Sequence, residues 1–512
     1  MTAINDGNLQ IGWASKNVTP DRPVNLQGQF KMRISKGVKD PVMVTVLALT
    51  SGASADNTVV FVSCDSVSVP ENVFRQCCAA ISRLAPDLDT SRIVLNATHT
   101  HTAPGLSEGH YPPVPSGVMT ATEYAEFFAG RAAEAVREAW ENRKPGGISF
   151  GLGTAVVGHN RRATYFEDVA ARMNEQAPGR FASGRTKMYG STNDPLFSHI
   201  EGYEDHYVDL LYTWDAGKKL TGVVVNLACP SQETEGDYYV SADFWHEIRQ
   251  EIKKRHGDEI QILAQCSPAG DQSPHRLWYK QAEERMLELR KLDMRREIGR
   301  RVANAVDEVL PPVREAVQTN PPLMHVVKEI QLPRRMISDE EAEQARADLV
   351  KLEAGDKTEG HYFASVRRCK NALARYEAQK SGKAIPMELH VIRLGDVAFA
   401  TNRYEYFLDF GIRIKARSPA VQTFLVQLTT DRHGAGTYLP TERAVAGKGY
   451  GGGAYDNEVG PEGGQVIVEE TVGLLKELWP ARNASHSDAG GGRKCENRSV
   501  TARAAAESGG DI

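Results

Sequence analysis

The run Ile93-Val94-Leu95-Asn96-Ala97-Thr98-His99-Thr100-His101-Thr102-Ala103-Pro104-Gly105 decides how the rest of the chain is read. β-Branched and apolar residues open it as a buried strand, and Pro-Gly closes it. Side chains alternate along a strand, so His99 and His101 are expected on one side of its carboxyl end. Two imidazoles placed there suit a metal ligand with a proton-handling neighbour. A His-x-His pair is also a common structural pair, so its surroundings decide its meaning.

Upstream, residues 42–49 and 59–63 read as strands separated by the turn-rich Ser51-Gly52-Ala53-Ser54. Asp65 follows the second strand, where capping the next helix is its expected task. Helical spacing covers Glu71–Leu84. Residues 122–141 form an amphipathic helix with Thr122 as its cap. Strand and helix alternate, which predicts an α/β architecture of layered mixed sheets flanked by helices.

Downstream, residues 163–205 are aperiodic and rich in Gly, Ser and Asn, as in a mobile or functional loop. The apolar run Leu220–Leu227 leads into Cys229-Pro230-Ser231-Gln232. Residues 240–246 lead into a helix, and residues 260–264 are a strand ending in Gly270-Asp271-Gln272-Ser273-Pro274-His275. Residues 277–309 read as one long charged helix, and 338–380 as a helical hairpin with solvated, salt-bridged faces. Strands return at 387–394, at Val397–Thr401 before Asn402-Arg403-Tyr404-Glu405, and at 421–428. A Gly-rich stretch, 447–464, precedes a last helix at 465–479. Residues 481–512 carry no apolar pattern and are expected to be disordered.

With 512 residues, 41% hydrophobic and 25% charged, the chain has the composition of a soluble globular protein. A formal net charge of -5 argues against a general affinity for nucleic acid. No apolar run approaches the roughly 20 residues that span a bilayer. The polar start, without a basic and then apolar segment, leads to an expected cytoplasmic location. Seven cysteines without paired spacing, two of them adjacent at Cys77-Cys78, indicate reduced thiols.

Polar groups recur where predicted strands end: His99/His101, Arg161, Cys229, Asp271/Ser273, Glu405 and Tyr438. In layered α/β proteins such ends converge on one edge, where sites form.

Asn96-Ala97-Thr98-His99-Thr100-His101-Thr102-Ala103-Pro104-Gly105 closely resembles the Thr-His-Thr-His-Ser-x-Pro-Gly signature of the neutral/alkaline non-lysosomal ceramidases. Gly270-Asp271-Gln272-Ser273-Pro274 is similar to that family's Gly-Asp-x-Ser-Pro segment. Tyr438-Leu439-Pro440-Thr441-Glu442, with Tyr450 downstream, resembles its Tyr-x-x-Thr-x-Glu stretch and later tyrosine. The similarity covers roughly residues 11–480 and implies one ceramidase-like catalytic domain over 1–480, with a helical insertion near 338–380. The family's C-terminal immunoglobulin-like domain is expected to be missing, since the matched motifs run out near the last predicted helix.

Members of that family are zinc amidases, and zinc both acidifies a bound water to about pKa 7 and polarises a carbonyl. The resemblance implies zinc ligands at His99, Glu405 and Tyr438. It implies His101, Arg161, Ser273 and Tyr450 as catalytic or pocket residues. Cys229 stands where the family has a second zinc-binding His, and a thiolate is a competent ligand; His246 is the substitute. The leading expectation is therefore a zinc-dependent hydrolase of an amide or ester in a small polar or N-acyl substrate. Two alternatives are a carbohydrate-active hydrolase or lyase that reuses the pocket without a zinc-bound water, in which Asp243, His246 and Arg161 matter more, and a non-catalytic relic scaffold.

Overall fold

A computed structural model describes residues 8–52, 54–169, 184–358 and 360–479. The expectation of a disordered tail at 481–512 lies outside the described residues.

Among the described residues, one sheet of nine strands runs across the molecule. Its spatial order is Gln261–Cys266, Leu220–Leu227, Tyr207–Asp215, Lys144–Thr154, Gln10–Asn17, Met43–Thr50, Thr58–Cys64, Ile93–Ala97 and Thr429–Thr430. Two neighbouring pairs are parallel: Thr58–Cys64 with Ile93–Ala97, and Leu220–Leu227 with Gln261–Cys266. A second sheet of four strands orders Leu323–Leu332, Ile385–Leu394, Val397–Thr401 and Gln422–Val426.

The continuous apolar runs follow from burial on both faces. Along Met43–Thr50 and Thr58–Cys64, Leu47, Leu49 and Phe61 point to the second sheet and meet Ile392, Val397, Phe399 and Phe424. The alternate residues Val46, Ala48, Val60 and Val62 pack instead under the helices Glu71–Leu84 and Ala121–Glu141. The helices Phe244–His256 and Met294–Arg314 cover the other half of the large sheet. The helices Leu408–Arg417 and Pro461–Leu478 cover the outer face of the small sheet. The result is two facing sheets between two helical layers, the layered α/β architecture expected from the sequence.

Several local expectations are corrected. Asp65 caps nothing: the next helix starts after Pro70 without a side-chain cap, and Asp65 instead accepts two hydrogen bonds from Arg249, at 2.6 and 2.9 Å. The cap of Ala121–Glu141 is Thr120, in a capping box with Glu123, because Glu123 sits three residues on and Thr122 has no such partner. The long helix divides into Lys280–Arg290 and Met294–Arg314, where Lys291 turns left-handed and Asp293 caps anew. The expected loop at 163–205 is partly ordered: Arg162–Tyr165, Thr186–Met188 and Phe197–Ile200 form a small antiparallel sheet, while residues 170–183 of that stretch lie outside the described residues.

Candidate active site

The opening strand ends at Ala97, earlier than the alternation of its histidines requires. His99 then adopts a left-handed φ of 63°, a rare and costly conformation for a residue with a Cβ. Its neighbours are held firmly: Thr98 N–H and Thr100 N–H donate to the Cys64 and Ser66 carbonyls, and the Thr100 and Thr102 hydroxyls both donate to Ser241 O. His101 N–H donates to Ser231 O. This turn, and not strand alternation, sets the two imidazoles edge-on with centroids 4.8 Å apart. Gly28, at φ +105°, lets the chain pass against His101, where an added Cβ would lie 2.4 Å from the imidazole Cγ.

His99 Nδ1 lies 2.8 Å from Val67 O. A carbonyl only accepts, so Nδ1 carries a proton, and Nε2 lies 3.4 Å from Glu405 Oε2, where an N–H would donate to the carboxylate. Glu405 begins the short strand Glu405–Tyr406, which pairs in parallel with Tyr438–Leu439 and sets Glu405 opposite Tyr438. The Tyr438 hydroxyl donates to the Glu405 carboxylate and accepts from Arg161 Nη2 at 3.0 Å. Burial pushes the Glu405 carboxyl up. The adjacent His99, the Tyr438 hydrogen bond and Arg161 outweigh this and hold it below the usual carboxylate range. Burial, followed by Glu405 and Tyr450, pushes the Tyr438 hydroxyl well above the ordinary phenol range, so it stays protonated.

Arg161 is fastened by its own N–H to Asp271 O (2.9 Å) and by its guanidinium to Gly270 O (2.9 Å) and Gln232 Oε1 (3.4 Å). Gly270 also lets the Glu405 backbone pass close by, because a Cβ there would meet Glu405 O at 2.3 Å. The rings of Tyr438 and Tyr450 stand 5.0 Å apart, 5.5 and 5.7 Å from the guanidinium carbon. Ser273 Oγ meets the Tyr189 hydroxyl at 3.0 Å. His99, Arg161, Glu405, Tyr438 and Tyr450 thus share one cluster, joined to His101 through the two imidazoles.

Cys229 is placed differently. It is fully buried among Leu227, Phe244 and Trp245, and its thiol donates to Pro230 O at 3.4 Å. Burial, then Cys266 and nearby carboxylates, pushes the thiol well up, which opposes the thiolate a metal would need. His246 sits in the first turn of its helix, N–H donating to Asp243 O. Asp243 caps that helix and takes both the amide and hydroxyl of Thr234.

Among the described residues, no group of three or more His, Cys, Asp and Glu side chains is disposed to hold a metal ion. This overturns the expected zinc site at His99, Cys229, Glu405 and Tyr438, and with it the zinc-dependent hydrolase. The physical reason lies in the donors. Arg161 brings a fixed positive charge onto Tyr438, Tyr438 keeps its proton, and Cys229 faces the core.

A second set of groups escaped the sequence reading. Gln232 donates from Nε2 to His101 Nε2 at 2.9 Å, which leaves the His101 proton on Nδ1, 3.4 Å from Glu235 Oε2. Burial is the main reason the His101 imidazole is pushed down to about 4, so it is neutral. Glu235 Oε1 in turn lies 3.3 Å from His275 Nε2, and Glu233 lies 3.7 Å from His275 Nδ1. The available signal was the acidic Gln232-Glu233-Thr234-Glu235 stretch after a strand end, and a histidine two residues beyond Ser273.

The chain is similar in structure to two ceramidases. A neutral ceramidase from Pseudomonas aeruginosa superposes with a TM-score of 0.62 at 15% identity, over 92% of this chain and 75% of that one. A structure described as ceramidase complexed with C2 gives 0.61 at 13% identity, over 94% and 78%. At these identities the likeness is one of fold: the chain has the layered ceramidase-like architecture. No protein-family model matches the sequence, and no curated protein matches it. Among the described residues, no helix is long and apolar enough to cross a membrane.

Proposed function

We propose that this protein is a metal-independent acid–base enzyme that hydrolyses a carbon–oxygen bond in a polar, hydroxyl-rich small molecule, with Glu405 as general base. One observation carries the reading. The Glu405 carboxylate is held ionised between His99 Nε2 and the Tyr438 hydroxyl, yet keeps 17% side-chain exposure, so a substrate or water can reach it. Tyr438 fixes the carboxylate with its one proton, and Arg161, bonded to the Tyr438 oxygen, adds positive charge and further N–H donors beside it. Arg161, Tyr438, Tyr450, Gln232 and Ser273 supply polar contacts suited to a hydroxylated ligand.

Turnover of a panel of 4-nitrophenyl and methyl glycosides by the wild type, Glu405→Gln and Tyr438→Phe tests this. Glu405→Gln should lower kcat by about 10²–10⁴-fold, the range of a lost general base. Tyr438→Phe should lower it too, and prior dialysis against a chelator should change nothing. A Glu405→Gln protein as active as wild type, or activity lost to the chelator, overturns the reading.

A further inference from the structure

His275 has no role in the chemistry described so far, although its setting is unusual. Each ring nitrogen faces a carboxylate: Nδ1 is 3.7 Å from Glu233 Oε2 and Nε2 is 3.3 Å from Glu235 Oε1. Its backbone N–H donates to Ser273 Oγ (3.1 Å), and the ring of Tyr189 stands edge-on at 5.6 Å. The side chain keeps 33% exposure, more than His101 at 11% or Glu405 at 17%. Contacts run in file from this accessible imidazole to the buried centre: His275, Glu235, His101, His99, Glu405.

A half-buried cluster of two carboxylates and one imidazole gains little stability from its mutual attraction, since desolvation opposes the gain. Such clusters concentrate at functional sites. We propose that His275 is the general acid of the site, a catalytic residue whose imidazolium protonates the departing oxygen. The assignment rests on the reading of Glu405 as base. Glu405 takes a proton from water as the water oxygen bonds to the substrate carbon. The carbon–oxygen bond to the leaving group breaks with its electron pair on oxygen, and His275 gives that oxygen a proton. The proton on Glu405 passes to solvent, and solvent or Glu233 recharges the imidazole.

The electrostatics agree. Burial pushes His275 down, but Glu235, Glu233 and Asp243 more than offset it and raise the imidazole above its ordinary value. Burial raises Glu233 to about 7, helped by Asp243 and Asp293 and opposed by His275 and Arg276, so it exchanges a proton in the neutral range.

An acid matters only where the leaving group needs a proton. His275→Ala should therefore lose about 100-fold or more in kcat on a methyl glycoside but only a few-fold on its 4-nitrophenyl counterpart, whose leaving group departs unaided. Equal losses on both, or none, overturn the assignment. Loss of both substrates in Glu405→Gln beside equal losses in His275→Ala removes the acid and keeps the base. Full activity in Glu405→Gln removes the base reading itself, and a wild type inert on every glycoside overturns both. Should His275→Ala fail to fold, histidine-selective ¹⁵N NMR of the wild-type protein decides: an imidazolium that persists above pH 7 supports the assignment, and titration at or below 6.5 overturns it.

Discussion

The two histidines stand on a turn anchored from below by Asp65, which is fully buried and receives both terminal nitrogens of Arg249 at 2.6 and 2.9 Å. Asp65 also accepts from Met43 N–H and from the Thr98 hydroxyl, so it joins a strand end to the residue before His99. Removing one partner leaves a buried guanidinium without its counter-charge. Asp65→Ala should therefore cost about 3–5 kcal/mol in urea unfolding. A loss under 1 kcal/mol would show that water replaces the carboxylate. Gly28 acts by a steric route. A Cβ 2.4 Å from His101 Cγ, at φ +105°, forces the imidazole or the backbone to move. Gly28→Ala should lower stability by about 1–3 kcal/mol. It should also weaken kcat more than KM, because the displaced ring is beside the reacting groups.

At the scale of elements, the Gly-rich stretch carrying Tyr450 is held by arginines. Arg162, paired with Glu201 and fully buried, donates to the Lys448, Ala444 and Tyr450 carbonyls. From the helix Tyr362–Gln379, Arg375 donates to the Asn457 and Ala454 carbonyls, and Arg368 pairs with Asp456 at 2.6 Å. The charged faces of this helical pair were expected to be solvated. Charge density shows in a sequence, but what a charge meets does not, and here Arg368 and Arg375 face a loop some 80 residues away. Arg375→Ala removes two charge-assisted bonds, a local loss of about 1.5–3 kcal/mol. Hydrogen exchange at residues 451–457 should quicken about tenfold or more while the sheet core stays protected. Unchanged exchange there would mean that Arg368 and Arg335, which donates to Gly452 O and Asn457 Oδ1, suffice to hold the loop.

At the scale of the molecule, what was legible divides by interaction type. The runs at Met43–Thr50, Thr58–Cys64 and Leu220–Leu227 announced doubly buried strands because all their positions but Asn226 are apolar or small, and the layered α/β fold follows from them. The convergence of His99, Arg161, Glu405 and Tyr438 was also legible, since each stands near a strand end. The metal was not: identical residue types serve as ligands or as an Arg–Tyr–Glu–His hydrogen-bond chain, and only the donors' directions separate the two. Glu233, Glu235 and His275 stayed hidden because the carboxylates lie 40 or more positions before the histidine they enclose. Their burial has a consequence for the whole fold. Glu233 titrates near 7 when folded against 4.5 as a free carboxyl, so the folded state binds its proton more tightly than the unfolded chain. The stability this contributes is fully present below about pH 4.5 and is lost as pH rises through 7, amounting to about 3 kcal/mol. Glu204 works in the opposite sense. Burial pushes it up, but His159 and His206 bring it down to about 2, so its contribution is present above pH 4.5 and lost as pH falls toward 2. Replacing Glu233 with Gln should therefore flatten the fall in melting temperature between pH 5 and 8 while leaving the acid side unchanged. Parallel curves for wild type and Glu233→Gln across that window would show that Glu233 is ionised in the folded protein.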